Sequence, residues 1–137
     1  MSSKTQIFVN LPVKNLDNSI EFFNKLGFSF NPNYTDEKAA CLIISEEIYA
    51  MLILEPVFKS FTKKEIADTK NCSEFIMCLS ADSREKVDEI VNKAVKAGSK
   101  VTTDPVDQGF MYEWGFEDLD GHLWTYFYMN KNDANAD

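Results

Sequence analysis

The same succession of strand and helix patterns occurs twice in this 137-residue chain, and this repeat restricts the fold more than any other feature. Residues 6–13 alternate apolar and mixed side chains, as a strand with one buried face does, and residues 75–81 are the strand candidate that opens the second half. In each half, an amphipathic helix and three more strand candidates follow. One such sheet with one helix cannot close alone. We therefore predict an α+β chain of two βαβββ modules, which form an open, curled mixed-sheet barrel with the helices outside.

Local signals set the predicted boundaries in the first half. Asn15 or Asp17 can cap the helix, and Gly27 can end it. Ser45, Glu46 and Glu47 form the predicted turn between the last two strands. The three strand candidates that follow the helix are 28–34, which Asn31-Pro32-Asn33 interrupts, 39–44 and 48–54.

The second half restarts the pattern after a polar segment. Asp82 or Ser83 can cap the second helix, and Gly98 can end it. Residues 119–122 are predicted to turn tightly between the last two strands. The strand candidates after this helix are 100–103, 110–116 and 123–129. The whole chain, 1–137, is read as a single domain with module one at about 5–56, a linker at about 57–72 and module two at about 73–130.

The linker segment contains a possible capping box, because Thr62 precedes Glu65 by three residues. This pattern predicts a short helix within the linker. The segment is polar, and its role as a linker or as a lid stays open.

Charge and composition exclude several classes of partner. Fourteen basic and twenty-two acidic side chains leave a net charge of −8, which repels phosphate backbones and anionic membrane surfaces. No signal core or membrane-length apolar stretch occurs, so we expect a cytoplasmic protein with no nucleic acid or membrane partner. Cys41, Cys72 and Cys78 show no paired spacing and are predicted to be free thiols.

Two motifs carry a resemblance to a known family. Residues 9–28 (VNLPVKNLDNSIEFFNKLGF) contain Asn-Leu, a Ser, an aromatic pair and Leu-Gly-Phe, as the opening of a glyoxalase-type module does. Residues 116–124 (FEDLDGHLW) resemble its closing turn, Phe-x-Asp-Pro-Asp-Gly-Asn or -His. Over about residues 5–130 the chain resembles the glyoxalase/bleomycin resistance/extradiol dioxygenase (vicinal oxygen chelate) superfamily, most of all its predicted lactoylglutathione lyase-like bacterial branch. The resemblance implies a homodimer and a cup between the modules that binds a ligand.

The resemblance also implies four places for metal ligands, one on each of four cup-facing strands. In this sequence those places hold Phe8, Ile53, Ile76 and Thr125. Transition metals in proteins prefer imidazole, thiolate or carboxylate donors. We therefore predict no metal and no other cofactor. The alternative is a divalent metal at a non-standard site, displaced to Glu55, Glu74 and Cys78.

Strand alternation selects the candidate ligand-binding residues. Asn10 either bonds a neighbouring strand or meets a ligand, and the dense 110–114 run either packs in the core or forms a pocket wall. The candidates are Phe8, Asn10, Tyr49, Met51, Ile53, Ile76, Cys78, Tyr112, Trp114, Thr125 and Phe127.

Catalytic residues are not identified by any motif. Glu113 is the ionisable group in the 110–114 run and a candidate cation partner or base. His122 is the single histidine, and its place in the predicted turn favours a backbone role over general base catalysis.

Three functions are compatible with these features. The first is a binding protein that holds a small organic molecule in a metal-free aromatic cup, as the bleomycin resistance branch does with a cationic drug. The second is a metal-dependent enzyme like lactoylglutathione lyase or a dioxygenase, in which a metal would stabilise an enediolate. The third is a vestigial cup in a protein that acts through its dimer surface. Whether the chain is an enzyme stays open.

Overall fold

A computed structural model of the chain describes residues 4–101 and 103–130. The chain is α+β, as predicted, and divides into two compact units, Met1–Ala67 and Asp68–Asp137. Each unit contains one four-stranded mixed sheet, called sheet 1 and sheet 2 below.

Unit 1 has the predicted strand–helix–three-strand order. Its elements are β1 (Ile7–Val13), α1 (Leu16–Leu26), β2 (Ser29–Asn31), β3 (Ala39–Ile43), β4 (Ile48–Leu54) and α2 (Glu55–Lys59). In sheet 1 the strand order is β1-β4-β3-β2, with β1 parallel to β4 and the other neighbours antiparallel. A 3₁₀ turn at Pro32–Tyr34 follows β2, where the Asn-Pro-Asn sequence ends the strand.

Helix α1 begins and ends at predicted capping residues. The Asn15 side chain accepts a hydrogen bond from the Asn18 amide at 3.0 Å, so Asn15 and not Asp17 is the cap. Gly27 ends the helix at φ +104°, a left-handed conformation that glycine adopts without a steric penalty. The buried side of α1 contains Leu16, Phe22, Phe23 and Leu26.

Unit 2 repeats this arrangement with the elements β5 (Ile76–Ser80), α3 (Arg84–Lys96), β6 (Val106–Asp107), β7 (Met111–Glu117) and β8 (Leu123–Met129). The strand order of sheet 2 is β5-β8-β7-β6, in which β5 is parallel to β8. Ser83, not Asp82, caps α3 by accepting a hydrogen bond from the Lys86 amide at 3.1 Å. The core contains Trp124, which is fully buried and stacks in parallel with Phe116 at a centroid distance of 6.4 Å.

Two elements differ from the prediction. In place of the strand expected at 100–103, Lys100 forms only an isolated bridge to Glu117, and residue 102 lies outside the described residues. Strand β6 lies farther along the chain, where Arg84 donates a hydrogen bond to Asp107 at 2.6 Å and holds the β6–β7 hairpin against α3.

The helix predicted to begin at Thr62 is also wrong. The Thr62 hydroxyl accepts a hydrogen bond from the Lys64 amide at 3.1 Å, but this makes only a local turn. The short helix is α2, which follows β4 directly and has Pro56 in its first turn, where a missing amide hydrogen has no cost. The helices of the described residues are all too short or too polar to cross a membrane.

Candidate functional site

The register of sheet 1 sorts the predicted ligand-binding residues of unit 1 onto one face. Phe8 lies opposite Tyr49, Asn10 opposite Met51, and Pro12 opposite Ile53. Because paired residues of neighbouring strands point to the same side of a sheet, these side chains share a face. We call it the Phe8 face, defined by Phe8, Asn10, Tyr49, Met51 and Ile53.

The other face of sheet 1 belongs to the core. Leu11, Val13, Ala50 and Leu52 alternate with the residues of the Phe8 face and are 0–1% exposed. Helix α1 lies against β3 and β4. The alternation predicted from the sequence is therefore present in β1 and β4, and the apolar face of both strands is the buried one.

Two aromatic rings stack on the Phe8 face. The ring centroids of Phe8 and Tyr49 are 4.7 Å apart, and their planes differ by 12°. The Tyr49 hydroxyl donates to the Glu46 carbonyl at 2.6 Å, which fixes the ring in its plane. Phe8 is nevertheless 43% exposed, so much of its surface is free to contact another flat group. Asn10 next to it is exposed as well.

The register of sheet 2 gathers a second, more polar set of predicted residues. Thr125 lies opposite Cys78 on one side and Gly115 on the other, and Phe127 lies opposite Glu113. Ile76 occupies the same face of β5 and is 54% exposed. We call this surface the Thr125 face, defined by Ile76, Cys78, Glu113, Thr125 and Phe127.

Glu113 gives the Thr125 face a negative charge. Partial burial, and then the nearby carboxylate of Glu113, raise the pKa of the Cys78 thiol. The thiol is therefore neutral at neutral pH and a poor nucleophile. The chemistry this face can perform is to accept hydrogen bonds from, or pair with, a positively charged group through Glu113. Cys41, Cys72 and Cys78 are all free thiols, as predicted.

Tyr112 and Trp114, also ligand-binding candidates, lie on the opposite side of sheet 2 from the Thr125 face. Trp114 lies opposite the buried Tyr126, and its indole nitrogen donates to the Thr103 carbonyl at 2.9 Å. The Tyr112 hydroxyl donates to Asp88 of α3. Because β7 alternates, Glu113 points to one side and both aromatic residues point to the other, toward α3. Both side chains therefore lie on the side of sheet 2 that packs against α3.

The hydrogen bond between Tyr112 and Asp88 predicts that the Tyr112 hydroxyl loses its proton at a higher pH than a free tyrosine does. Burial, and then the hydrogen bond to Asp88 and its charge, raise the pKa of Tyr112 from 10.0 to about 12. A tyrosine whose folded pKa is raised contributes stability that is complete below pH 10 and is lost as the pH rises through 12.

We expect Asp88→Asn to move the titration of Tyr112 to lower pH. Tyrosinate absorbance measures the titration, and its loss in Tyr112→Phe identifies the signal as that of Tyr112. Glu85→Gln, an exposed change on the same helix, should leave it in place, and identical curves for Asp88→Asn and the native chain would contradict this prediction.

His122 lies in the turn before β8, where its backbone is held by Asp118. The amides of His122 and Asp120 both donate to Asp118 Oδ1 at 2.9 Å, and the Trp124 indole nitrogen donates to Oδ2 at 2.9 Å. Burial raises the pKa of Asp118, although these donors and His122 oppose the shift. Asp118 is only 5% exposed, and the sequence reasoning did not single it out. Its signal was present in the Asp-x-Asp-Gly motif, where an aspartate side chain commonly bonds the backbone two residues later.

The residues at the four expected metal positions do not fit a transition metal. Phe8, Ile53 and Ile76 offer no donor atom, and Thr125 offers only a neutral hydroxyl. In residues 4–101 and 103–130, no group of three or more His, Cys, Asp or Glu side chains could hold a metal ion. The displaced set does not form on the sheets either, because Glu55 begins helix α2 and Glu74 precedes β5. Of that set, Cys78 alone lies within a strand.

Comparison with known proteins identifies the family of this chain. The sequence model of the Glyoxalase/Bleomycin resistance protein/Dioxygenase superfamily matches residues 6–126. The chain belongs to this superfamily. Its resemblance to the superfamily at the two motifs is therefore confirmed, whereas no curated protein matches the chain.

Several solved structures share the fold. A hypothetical protein from S. aureus is 27% identical, with a TM-score of 0.78, and the match covers 93% of this chain and 95% of that one. A family enzyme from Burkholderia phytofirmans PsJN is 15% identical, with a TM-score of 0.76 and coverage of 89% and 96%. A bleomycin resistance determinant encoded on the transposon Tn5 is 20% identical, with a TM-score of 0.63 and coverage of 92% and 98%.

Proposed function

We propose that this superfamily member binds a small organic molecule without a metal ion, with the Phe8 face of unit 1 and the Thr125 face of unit 2 each taken by itself as a candidate binding surface. The observation that carries the proposal is the exposed stack of Phe8 and Tyr49, which presents a flat aromatic surface beside the amide of Asn10. A planar group gains dispersion and stacking energy on such a surface. The bound molecule therefore contains a flat, apolar part.

Charge indicates which ligands suit the Thr125 face, taken by itself. Glu113 is the carboxylate among the residues that define the Thr125 face, and the chain carries a net charge of −8. A carboxylate in a partly desolvated position binds a cation more strongly than one in water. A ligand with a positively charged or hydrogen-bond-donating group fits this face better than an anion does.

The second candidate is a metal-dependent enzyme like lactoylglutathione lyase or a dioxygenase. Superfamily membership supports it, since the matched description includes glyoxalases and dioxygenases. The donor set opposes it, because three of the four expected ligand positions hold apolar side chains. Metal analysis of the purified protein separates the candidates: stoichiometric zinc, nickel or iron that Cys78→Ala or Glu113→Gln removes would favour the enzyme.

A thermal-shift screen with and without divalent metals tests the binding proposal, since a ligand that binds the folded state raises the melting temperature. For a compound found in this way, we expect Phe8→Ala to weaken the affinity about tenfold, because the stacking surface is lost. Glu113→Gln should weaken binding of a cationic compound and reduce its dependence on salt. Calorimetric titration measures both effects.

The matched control for Phe8→Ala is Phe61→Ala. Phe61 is also a phenylalanine of unit 1 and is 65% exposed, but it lies outside the sheet. Its removal should leave the affinity unchanged. Equal affinities in the native chain and Phe8→Ala, or stabilisation by metals alone, would contradict the proposal.

The proposal also includes the assembly and location expected from the sequence. We propose that the chain acts as a homodimer in the cytoplasm, with no nucleic acid or membrane partner. The excess of acidic groups supports the last point, because it repels phosphate groups. The dimer rests on the superfamily resemblance.

A further inference from the structure

We infer that residues 68–72 are a strap that holds the turn between β7 and β8, and through it the start of the strand that carries Thr125 and Phe127. The sequence predicts a linker or a lid for this segment. The structure places it against the Leu119–Gly121 turn, about 50 residues farther along the chain. We refer to it as the 68–72 strap.

The strap satisfies the carbonyl groups of the turn. The Thr69 hydroxyl donates to the Asp120 carbonyl at 2.6 Å, and the Lys70 ammonium donates to the Leu119 carbonyl at 2.8 Å. The amides of the same turn are satisfied from the other side by Asp118. Each polar group of a turn needs such a partner when it is removed from water. The turn is thus bonded on both sides, by Asp118 and by the strap.

Gly121 shows how closely the strap approaches. A Cβ atom at this position would lie 2.5 Å from the Thr69 carbonyl oxygen and 2.7 Å from its carbon. Gly121 also has φ +90°, which disfavours other residues independently of space. Position 121 therefore needs glycine for its own backbone and for contact with the backbone of the strap.

The strap has a shape of its own. Asp68 accepts hydrogen bonds from the Asn71 side chain at 2.6 Å and, through its carbonyl oxygen, from the Asn71 and Cys72 amides at 3.0 and 2.8 Å. These local bonds hold Thr69 and Lys70 together on one side of a turn. Presenting two donors from a preformed turn lowers the entropy lost when they bind the 119–121 carbonyls.

The position of the strap links it to the Thr125 face. β8 begins at Leu123, two residues after Gly121, and Thr125 follows two residues later. A turn that opens frees the start of β8 and the β5 residues paired with it, while α3 can keep its own hydrogen bonds. Any effect on ligand affinity rests on the proposed function, but the opening of the turn does not.

Amide hydrogen exchange tests the strap without a ligand. In Thr69→Val/Lys70→Met, which loses two hydrogen bonds, we expect the Asp120 and His122 amides to exchange roughly ten- to thirtyfold faster. The Val87 and Val91 amides of α3 should change only as much as the global stability does. Thr69→Ser, which keeps the hydroxyl, should retain the native rates, and Lys63→Met, a lysine change outside the strap, should leave them unchanged.

Two results would overturn the inference. One is unchanged exchange of Asp120 and His122 in the double variant. The other is an equal acceleration of these amides and those of α3, because that would show general destabilisation. Should the double variant not fold, Thr69→Val alone applies the same test, with an expected acceleration of about fivefold for one lost bond.

Discussion

Replacing Asp118 by Ala should lower the free energy of unfolding by about 3–5 kcal/mol. The change removes the acceptor of three hydrogen bonds at once and leaves the indole nitrogen of the fully buried Trp124 without its partner. An unsatisfied buried donor costs more than a hydrogen bond contributes, because it has given up its water. Urea unfolding followed by tryptophan fluorescence measures the loss as a lower midpoint at an unchanged slope.

Two further variants separate the causes of this loss. Asp118→Asn can keep its amide oxygen on the Asp120 and His122 amides, but its amino group then faces the Trp124 donor, so we expect an intermediate loss. Glu37→Ala removes an exposed carboxylate of unit 1 and should change stability by less than about 0.5 kcal/mol. A loss for Asp118→Ala as small as that for Glu37→Ala would show that the buried carboxylate does not hold the turn.

Local patterns were sufficient where an element depends on its own residues. Strands β4 and β8 have the predicted boundaries, and Asn15 and Ser83 cap their helices, because alternation and capping are properties of short segments. Strand β6 was misplaced because its position depends on the contact of Asp107 with Arg84, 23 residues earlier. No window of ten residues contains that information.

The candidate site shows the same limit. Period two grouped Phe8 with Asn10 and Tyr49 with Met51, and the sheet register places both pairs on one face. The alternation within β7 predicts that Tyr112 and Trp114 point to the same side of the sheet. Which side that is depends on how β7 pairs with β8. That register follows from the turn, in which the Asp118 amide donates to the His122 carbonyl at 2.9 Å. Their role in ligand binding stays a prediction.

Gly115 is a position at which we expect a single added methyl group to be strongly destabilising through contact alone. Its Cβ would lie 2.3 Å from the Trp124 carbonyl oxygen and 3.0 Å from the Thr125 Cα, both in the backbone of β8. Backbone cannot rotate away as a side chain can, so β7 and β8 would have to separate along their ladder. We expect Gly115→Ala to lower the free energy of unfolding by about 3 kcal/mol or more, measured by urea unfolding.

Gly27→Ala is the matched control, because at Gly27 a side chain is disfavoured by the backbone conformation and not by contact with neighbouring atoms. A Cβ at Gly27 would meet nothing within 4 Å, but its φ of +104° is unfavourable for alanine and costs about 1 kcal/mol. Gly115 has no positive φ, so its cost comes from contact and not from conformation. Since β8 carries Thr125 and Phe127, Gly115→Ala should also disturb the Thr125 face, whereas Gly27→Ala should leave it intact. A larger loss of stability for Gly27→Ala than for Gly115→Ala would mean that β7 and β8 do not approach as closely as described.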